Sequence, residues 1–308
     1  MFCAGVATVM LASCGGGGGT SGSAQNPDAT LQSELQAQTN AGVAVANTPA
    51  ADATAGAPVA GAAAGASVAD TAASVAPESM TPYGQTAANY TLSFSEEFDS
   101  FNTSRWNDKI WYETGNATKN YTVENGALKI WPQRDASGKF FNRTIDTDGK
   151  YYQTYGYFEI EAKLPIGKGT WPAFWLFNHI DNRRPEIDVM EAYAGGGPSS
   201  GWSDANMHPT AYAPTVWKDQ SVLAGTKTIQ TTDLSAGFHK YAVKWEPNKQ
   251  TFYFDGKEVY SVDVSMGDKM YLMLDLWYGS ASGQADDSTP QGKSNSYEVN
   301  YVRAWKFN

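Results

Sequence analysis

Three carboxylates fall within six residues of this chain: Glu186, Asp188 and Glu191, in Pro185-Glu186-Ile187-Asp188-Val189-Met190-Glu191-Ala192-Tyr193. Ile187, Val189 and Met190 between them are apolar and mostly strand-prone, so the run reads as a β-strand that Pro185 enters. Successive side chains of a strand point to opposite faces. Glu186 and Asp188 therefore share a face, while the odd step of five sends Glu191 to the other. A β-bulge at Val189-Met190 would set two residues against one partner and shift the phase by one. All three acids then line one face. Four effective steps part the outer two by about 13 Å along the strand. Two Glu side chains leaning together close much of that, toward the roughly 5–5.5 Å carboxyl separation of a retaining glycosidase. Asp188 repels both and tends to raise a neighbour's pKa. That suits a pair with one acid protonated near neutral pH and the other ionised. A solvated polar strand face, or a calcium site, accounts for the same three acids.

The surroundings favour chemistry. Trp171-Pro172-Ala173-Phe174-Trp175-Leu176 precedes the acids, and Tyr155-Gly156-Tyr157-Phe158-Glu159-Ile160-Glu161-Ala162-Lys163-Leu164-Pro165 lies upstream of that. Together with Glu186-x-Asp188-x-x-Glu191 these runs resemble the signature of glycoside hydrolase family 16, which includes laminarinases, mixed-linkage β-glucanases, agarases and carrageenases. Weaker echoes run from Phe94-Ser95-Glu96-Glu97-Phe98 to Asn300-Tyr301-Val302-Arg303. The six-residue spacing resembles the bulged branch of the family, not the five-residue lichenase type. The resemblance implies a β-jelly roll, a sandwich of two antiparallel sheets, with a concave face crossed by a substrate cleft.

It also implies roles. Glu186 is the expected nucleophile, Glu191 the acid/base, and Asp188 the residue that tunes Glu186 and holds the strand. Trp171 and Trp175, four apart on a strand, share a face and offer rings for sugar stacking; core packing is the alternative for either. His208, in Asn206-Met207-His208-Pro209, falls where the family places a His near the acid/base. Trp277 and Tyr278, in Leu274-Asp275-Leu276-Trp277-Tyr278-Gly279, stand where family members often carry Asn-Leu-Ala-Val-Gly-Gly, and add bulk at the cleft rim. Arg183 and Arg184 are read as surface ion-pair partners. No cofactor is expected for catalysis. A structural calcium is the one metal the resemblance suggests, on Glu97, the Gly126 carbonyl and Asn300; the amide at the last position weakens that site by one charge. No Cys/His zinc spacing and no phosphate loop occur.

The elements that must position these residues are short alternating runs separated by turns. Tyr121 to Ile130 and Gln250 to Tyr260 each contain a hairpin signal, Asn125-Gly126 and Asp255-Gly256. Helical periodicity is missing, so an all-β sandwich is expected over 86–308. All ten Trp lie between Trp106 and Trp305. The net charge of −10 argues against a nucleic-acid surface. It suits a neutral polysaccharide partner, handled by a monomer.

Residues 1–14 end in Leu11-Ala12-Ser13-Cys14 and resemble a secretory signal with a bacterial lipobox, in which Cys14 is the lipidation site. An ordinary signal peptide is the alternative. No run of about 18 apolar residues is present to span a bilayer. Membrane contact is thus expected only through an N-terminal lipid, as in an outer-membrane lipoprotein, or else the protein is secreted. Residues 15–85, rich in Gly, Ala, Ser and Thr, lack the large apolar side chains that offset ordering entropy and read as a flexible tether.

Overall fold

The computed structural model describes residues 80–180, 183–195, 210–219, 221–279 and 282–308. Cys14, the tether as far as residue 79, and His208 lie outside the described residues. Within them the chain forms fifteen strands and no α-helix. The first five are β1 (Tyr90–Glu96), β2 (Tyr121–Glu124), β3 (Ala127–Ile130), β4 (Arg143–Asp146) and β5 (Gly156–Lys163). Then come β6 (Thr170–Phe177), β7 (Glu186–Glu191), β8 (Ala211–Asp219), β9 (Val222–Thr226) and β10 (Ile229–Gln230). The last are β11 (His239–Glu246), β12 (Lys249–Phe254), β13 (Lys257–Val262), β14 (Tyr271–Tyr278) and β15 (Tyr297–Phe307).

These make the expected jelly-roll sandwich of two antiparallel sheets. The larger runs β13-β12-β11-β5-β15-β3-β2, with β1 also on β15; the smaller runs β10-β8-β7-β6-β14-β4, with β9 on β8. Both hairpin signals form tight turns. Asn125 and Gly126 have φ of 56° and 72°, Asp255 and Gly256 of 47° and 75°. Positive φ at both central residues matches the twist of the flanking strands.

Period-two alternation decides which side chains meet between the sheets. Phe158 and Ile160 of β5 pack there against Phe174 and Leu176 of β6 and Leu272 and Leu274 of β14. Each such burial contributes about 1.5–3 kcal/mol against chain entropy. The opposite face of the smaller sheet is apolar too, carrying Trp171, Trp175 and Phe177 of β6 with Tyr271, Met273 and Trp277 of β14. A strand buried on both faces loses its polar alternation. This is why Tyr271 to Tyr278 reads as a nearly continuous apolar run, broken by one acid, Asp275.

The folded unit starts earlier than residue 86. The Trp305 indole donates to the Met80 carbonyl at 2.8 Å, and the Tyr83 backbone N–H donates to Glu159 Oε2 at 3.2 Å. Glu159 is buried on the outer face of the larger sheet. A buried carboxylate needs donors, and the segment from Met80 supplies one that composition does not reveal.

Candidate active site

The site is built on β7 and its two neighbours. Glu186 stands opposite Phe177 of β6 and Trp217 of β8, Asp188 opposite Trp175 and Thr215, and Glu191 opposite Ala173 and Ala213. Five steps on β7 thus match four on either partner. The extra residue falls at Val189-Met190, where the register shifts on both sides. Both of these side chains are buried between the sheets. The bulge restores the phase, and all three acids face outward beside Trp171 and Trp175. They line one hollow with Trp171, Ala173, Trp175, Asp275 and Trp277.

Glu186, Asp188 and Glu191 are 5%, 2% and 4% exposed, so their charged forms are poorly solvated. Burial pushes Glu186 well up, with help from the Glu191 charge, while a hydrogen bond from Asp188 opposes the rise. Asp188 is raised by burial and by the charges of both glutamates. Burial also raises Glu191, against the hydrogen bonds of Tyr193 and Trp171. Among the described residues no Lys or Arg forms an ion pair with any of the three.

Indole N–H groups hold the walls in place. Trp171 Nε1 and Tyr193 Oη both donate to Glu191 Oε1, at 3.1 and 3.0 Å, and their rings stack 5.6 Å apart. Glu191 Oε2 receives neither bond. Trp175 Nε1 donates to Asp275 Oδ1 at 2.5 Å, and Trp277 Nε1 to Thr144 Oγ1 at 2.9 Å. Trp277 meets Trp171 and Trp175 edge to face, at 5.5 and 5.9 Å. Such pairs fix rotamers that a lone indole would sample.

Two members of this group were not read from sequence. Tyr193 follows the strand, so its direction was not legible. Asp275 had a signal: it is the single acid in an apolar strand and lies two residues from Trp277, on the same face.

Other expected site residues fall elsewhere. Tyr278 is out of phase with Trp277; its ring turns to the inter-sheet side, packs on Phe140 at 5.1 Å, and lines a separate hollow of about 460 Å³. It is therefore not part of the carboxylate hollow. Arg183 pairs with Asp268 at 2.7 Å, as a surface residue would.

Glu97, Gly126 and Asn300 are brought near one another, because β3 leaves β15 at Val299 and β1 joins it at Val302. They do not fit a calcium ion. Both Glu97 oxygens accept from the Arg303 guanidinium, at 2.8 and 2.7 Å, and the Asn300 amide donates to Glu161 Oε2 at 2.9 Å. The one carboxylate of the trio is already neutralised, whereas calcium sites draw on several free oxygens. Among the described residues no group of three or more His, Cys, Asp or Glu has metal-holding geometry.

The pattern of Glycosyl hydrolases family 16 matches residues 107–303. The chain is 28% identical to the endo-1,3-1,4-beta-glycanase EglC of Rhizobium meliloti over 252 residues, 70% of this chain and 51% of that one. It is 29% identical to the endo-1,3-1,4-beta-glycanase ExsH of the same organism over 204 residues, 63% of this chain and 41% of that one. The chain thus spans about half the length of these relatives or less. The endo-beta-1,3-glucanase of Pyrococcus furiosus has the same fold, with a TM-score of 0.58 at 24% identity, covering 71% of this chain and 95% of that one.

Proposed function

The chain belongs to glycosyl hydrolases family 16, and on that premise we propose that it is an endo-acting, retaining β-glycan hydrolase. Its substrate is a β-1,3-glucan, a mixed β-1,3-1,4-glucan or a related bacterial exopolysaccharide. The observation that carries this is the Val189-Met190 bulge, which sets Glu186, Asp188 and Glu191 on one floor between Trp171 and Trp175. Aromatic walls and a floor with no ion-paired cation suit a neutral sugar chain.

In the first step a Glu186 oxygen bonds to the anomeric carbon as the glycosidic C–O bond breaks. Glu191 Oε2 gives its proton to the departing oxygen. In the second, Glu191 takes a proton from water, whose oxygen bonds to the same carbon and releases Glu186. Asp188, its pKa raised by burial and by its two neighbours, donates to Glu186 and offsets part of the rise by which burial holds Glu186 at about 8, above Glu191 at about 7. The positive charge that develops on the sugar favours the ionised nucleophile that burial opposes. Two inversions leave the anomeric configuration unchanged.

The test is a panel of neutral and anionic polysaccharides with product sizing and NMR of the first anomer formed. Oligosaccharides of mixed length, released as the β-anomer from laminarin or barley glucan, are expected. An active-looking fold that releases nothing from any member would sink the reading. Product growth with added acceptor oligosaccharide would show transfer to a sugar hydroxyl instead of water.

Tyr193→Phe tests the proton-holding role of Glu191. The lost donor favoured the ionised form, so Glu191 rises further and stays protonated to higher pH. The alkaline limb of kcat/KM is expected to move up by roughly 0.4–1 unit, the worth of one net hydrogen bond. A limb that stays put or moves down would contradict it.

We further read the protein as exported and attached through an acylated Cys14. Met80 joins the domain at Trp305, on the outer face of the larger sheet and so on the side away from the carboxylates. A tether attached there leaves the hollow facing outward. Labelling of the parent but not of Cys14→Ser with a fatty-acid probe tests this.

A further inference from the structure

The outer face of β6 presents Trp171, Ala173, Trp175 and Phe177, so Ala173 is the one small side chain in a bulky row. The register puts Glu191 of β7 on one side of Ala173 and Asp275 of β14 on the other. Two inter-strand spacings separate these acids, about 9.6 Å between Cα atoms. Trp171 and Trp175 close the seat along the strand. It is a well with an alanine floor, indole walls and a carboxyl group at either end, all parts of the same hollow.

Asp275 is 1% exposed, and its Oδ1 is taken by Trp175. Its neighbour across the sheet, Thr144, is engaged with Trp277. Four carboxyl groups, those of Glu186, Asp188, Glu191 and Asp275, thus share one buried hollow with no ion-pairing Lys or Arg among the described residues. They cannot all be ionised together.

Resting on the hydrolase reading above, we propose that Asp275 is a substrate-binding residue that works as a neutral acid. Its Oδ1 accepts from Trp175, and its protonated Oδ2 donates to a hydroxyl of the sugar seated over Ala173. That sugar presents its glycosidic oxygen to Glu191 at the other end. Burial, then the charges of Glu191 and Glu186, holds the Asp275 proton, against the Trp175 bond. The seat accordingly takes an uncharged sugar with a free hydroxyl at that edge. A sulfate or uronate there meets carboxyl groups and no cation.

The experiment uses the full chain, as parent, Asp275→Asn and Asp275→Ala, on a glucan oligosaccharide and its singly deoxygenated analogues. An amide keeps both the acceptor for Trp175 and a donor for the sugar. The parent and the Asn variant should each lose about tenfold in kcat/KM on one deoxy analogue and little on the rest. The Ala variant should be about tenfold down on the intact oligosaccharide and insensitive to that same deoxygenation. Equal loss by Ala on every analogue would make Asp275 a prop for Trp175 and overturn the proposal. An Asn variant as poor as Ala would overturn it too, since an ionised carboxylate would then be what the sugar needs. If the Ala variant does not fold, the Asn variant still decides, because it must keep the parent's sensitivity to a single hydroxyl. A parent inactive on all glucans defeats the hydrolase reading itself; an active parent with a flat deoxy profile defeats only this one.

Discussion

Glu186→Ala and Glu191→Ala are each expected to remove hydrolysis of the natural glycan, but azide should rescue them to opposite products. Losing a positioned general acid costs about 10²–10⁴-fold. That loss should shrink for aryl glycosides whose leaving group departs without a proton. In Glu191→Ala the covalent adduct on Glu186 still forms. Azide entering where water would attack then gives the β-glycosyl azide. In Glu186→Ala no adduct forms. Azide occupies the space of the lost carboxylate and attacks from the opposite side, giving the α-glycosyl azide. Chromatography and NMR of the two azides check the assignment. The same anomer from both variants would mean that the roles, or the reaction, are wrong. Both substitutions remove a buried acid that lacks an ion-paired cation, so folding should survive them.

The second large effect concerns the bulge. Deleting Val189 leaves Glu-Ile-Asp-Met-Glu, a regular strand with four steps between its outer acids. Four steps are what β6 and β8 already present, from Phe177 to Ala173 and from Trp217 to Ala213. The deletion should therefore keep all three carboxylates on the outer face. Its cost is the burial of one valine, about 1.5–3 kcal/mol, and glucan hydrolysis should remain measurable. Inserting one alanine after Val189 leaves six steps between the outer acids, so a strand without the bulge keeps the last glutamate outward but carries it two positions past Ala173 and Ala213, about 6.6 Å from its place. A strand that keeps the bulge instead turns the last glutamate inward beside Phe174 and Ile187, where an unpaired carboxyl group costs several kcal/mol. On either course the two glutamates no longer flank one glycosidic oxygen, so that variant should lose activity below detection, and a much lower melting temperature would mark the inward course. Thermal melts and reducing-sugar release on the pair are the measurements. A dead deletion beside a working insertion would show that the four-step separation of the outer acids does not govern this site.

Much of this architecture was legible in the chain because it is local. Period-two alternation and two Asn-Gly-type turns identify an all-β sandwich without reference to any partner strand. The odd spacing of Glu186, Asp188 and Glu191 pointed to a bulge, since a regular strand sends Glu191 to the face of Ile187 and Val189 and leaves Met190 with the other two acids. Even the position of the irregularity followed from those six residues.

What the chain could not disclose is nonlocal. Asp275 enters the site only because β14 lies beside β6 in a register that sets it opposite Ala173. Tyr193 reaches Glu191 only through the turn after β7. Tyr278 sits next to Trp277 in sequence yet faces the other layer, and Arg303 takes both oxygens of Glu97 that a calcium ion would need. Side-chain identity and spacing determined which groups face which side of a strand. Register between strands distant in sequence decided which of those groups share one buried hollow. That register is set by the packing of two whole sheets, which no short stretch of sequence encodes.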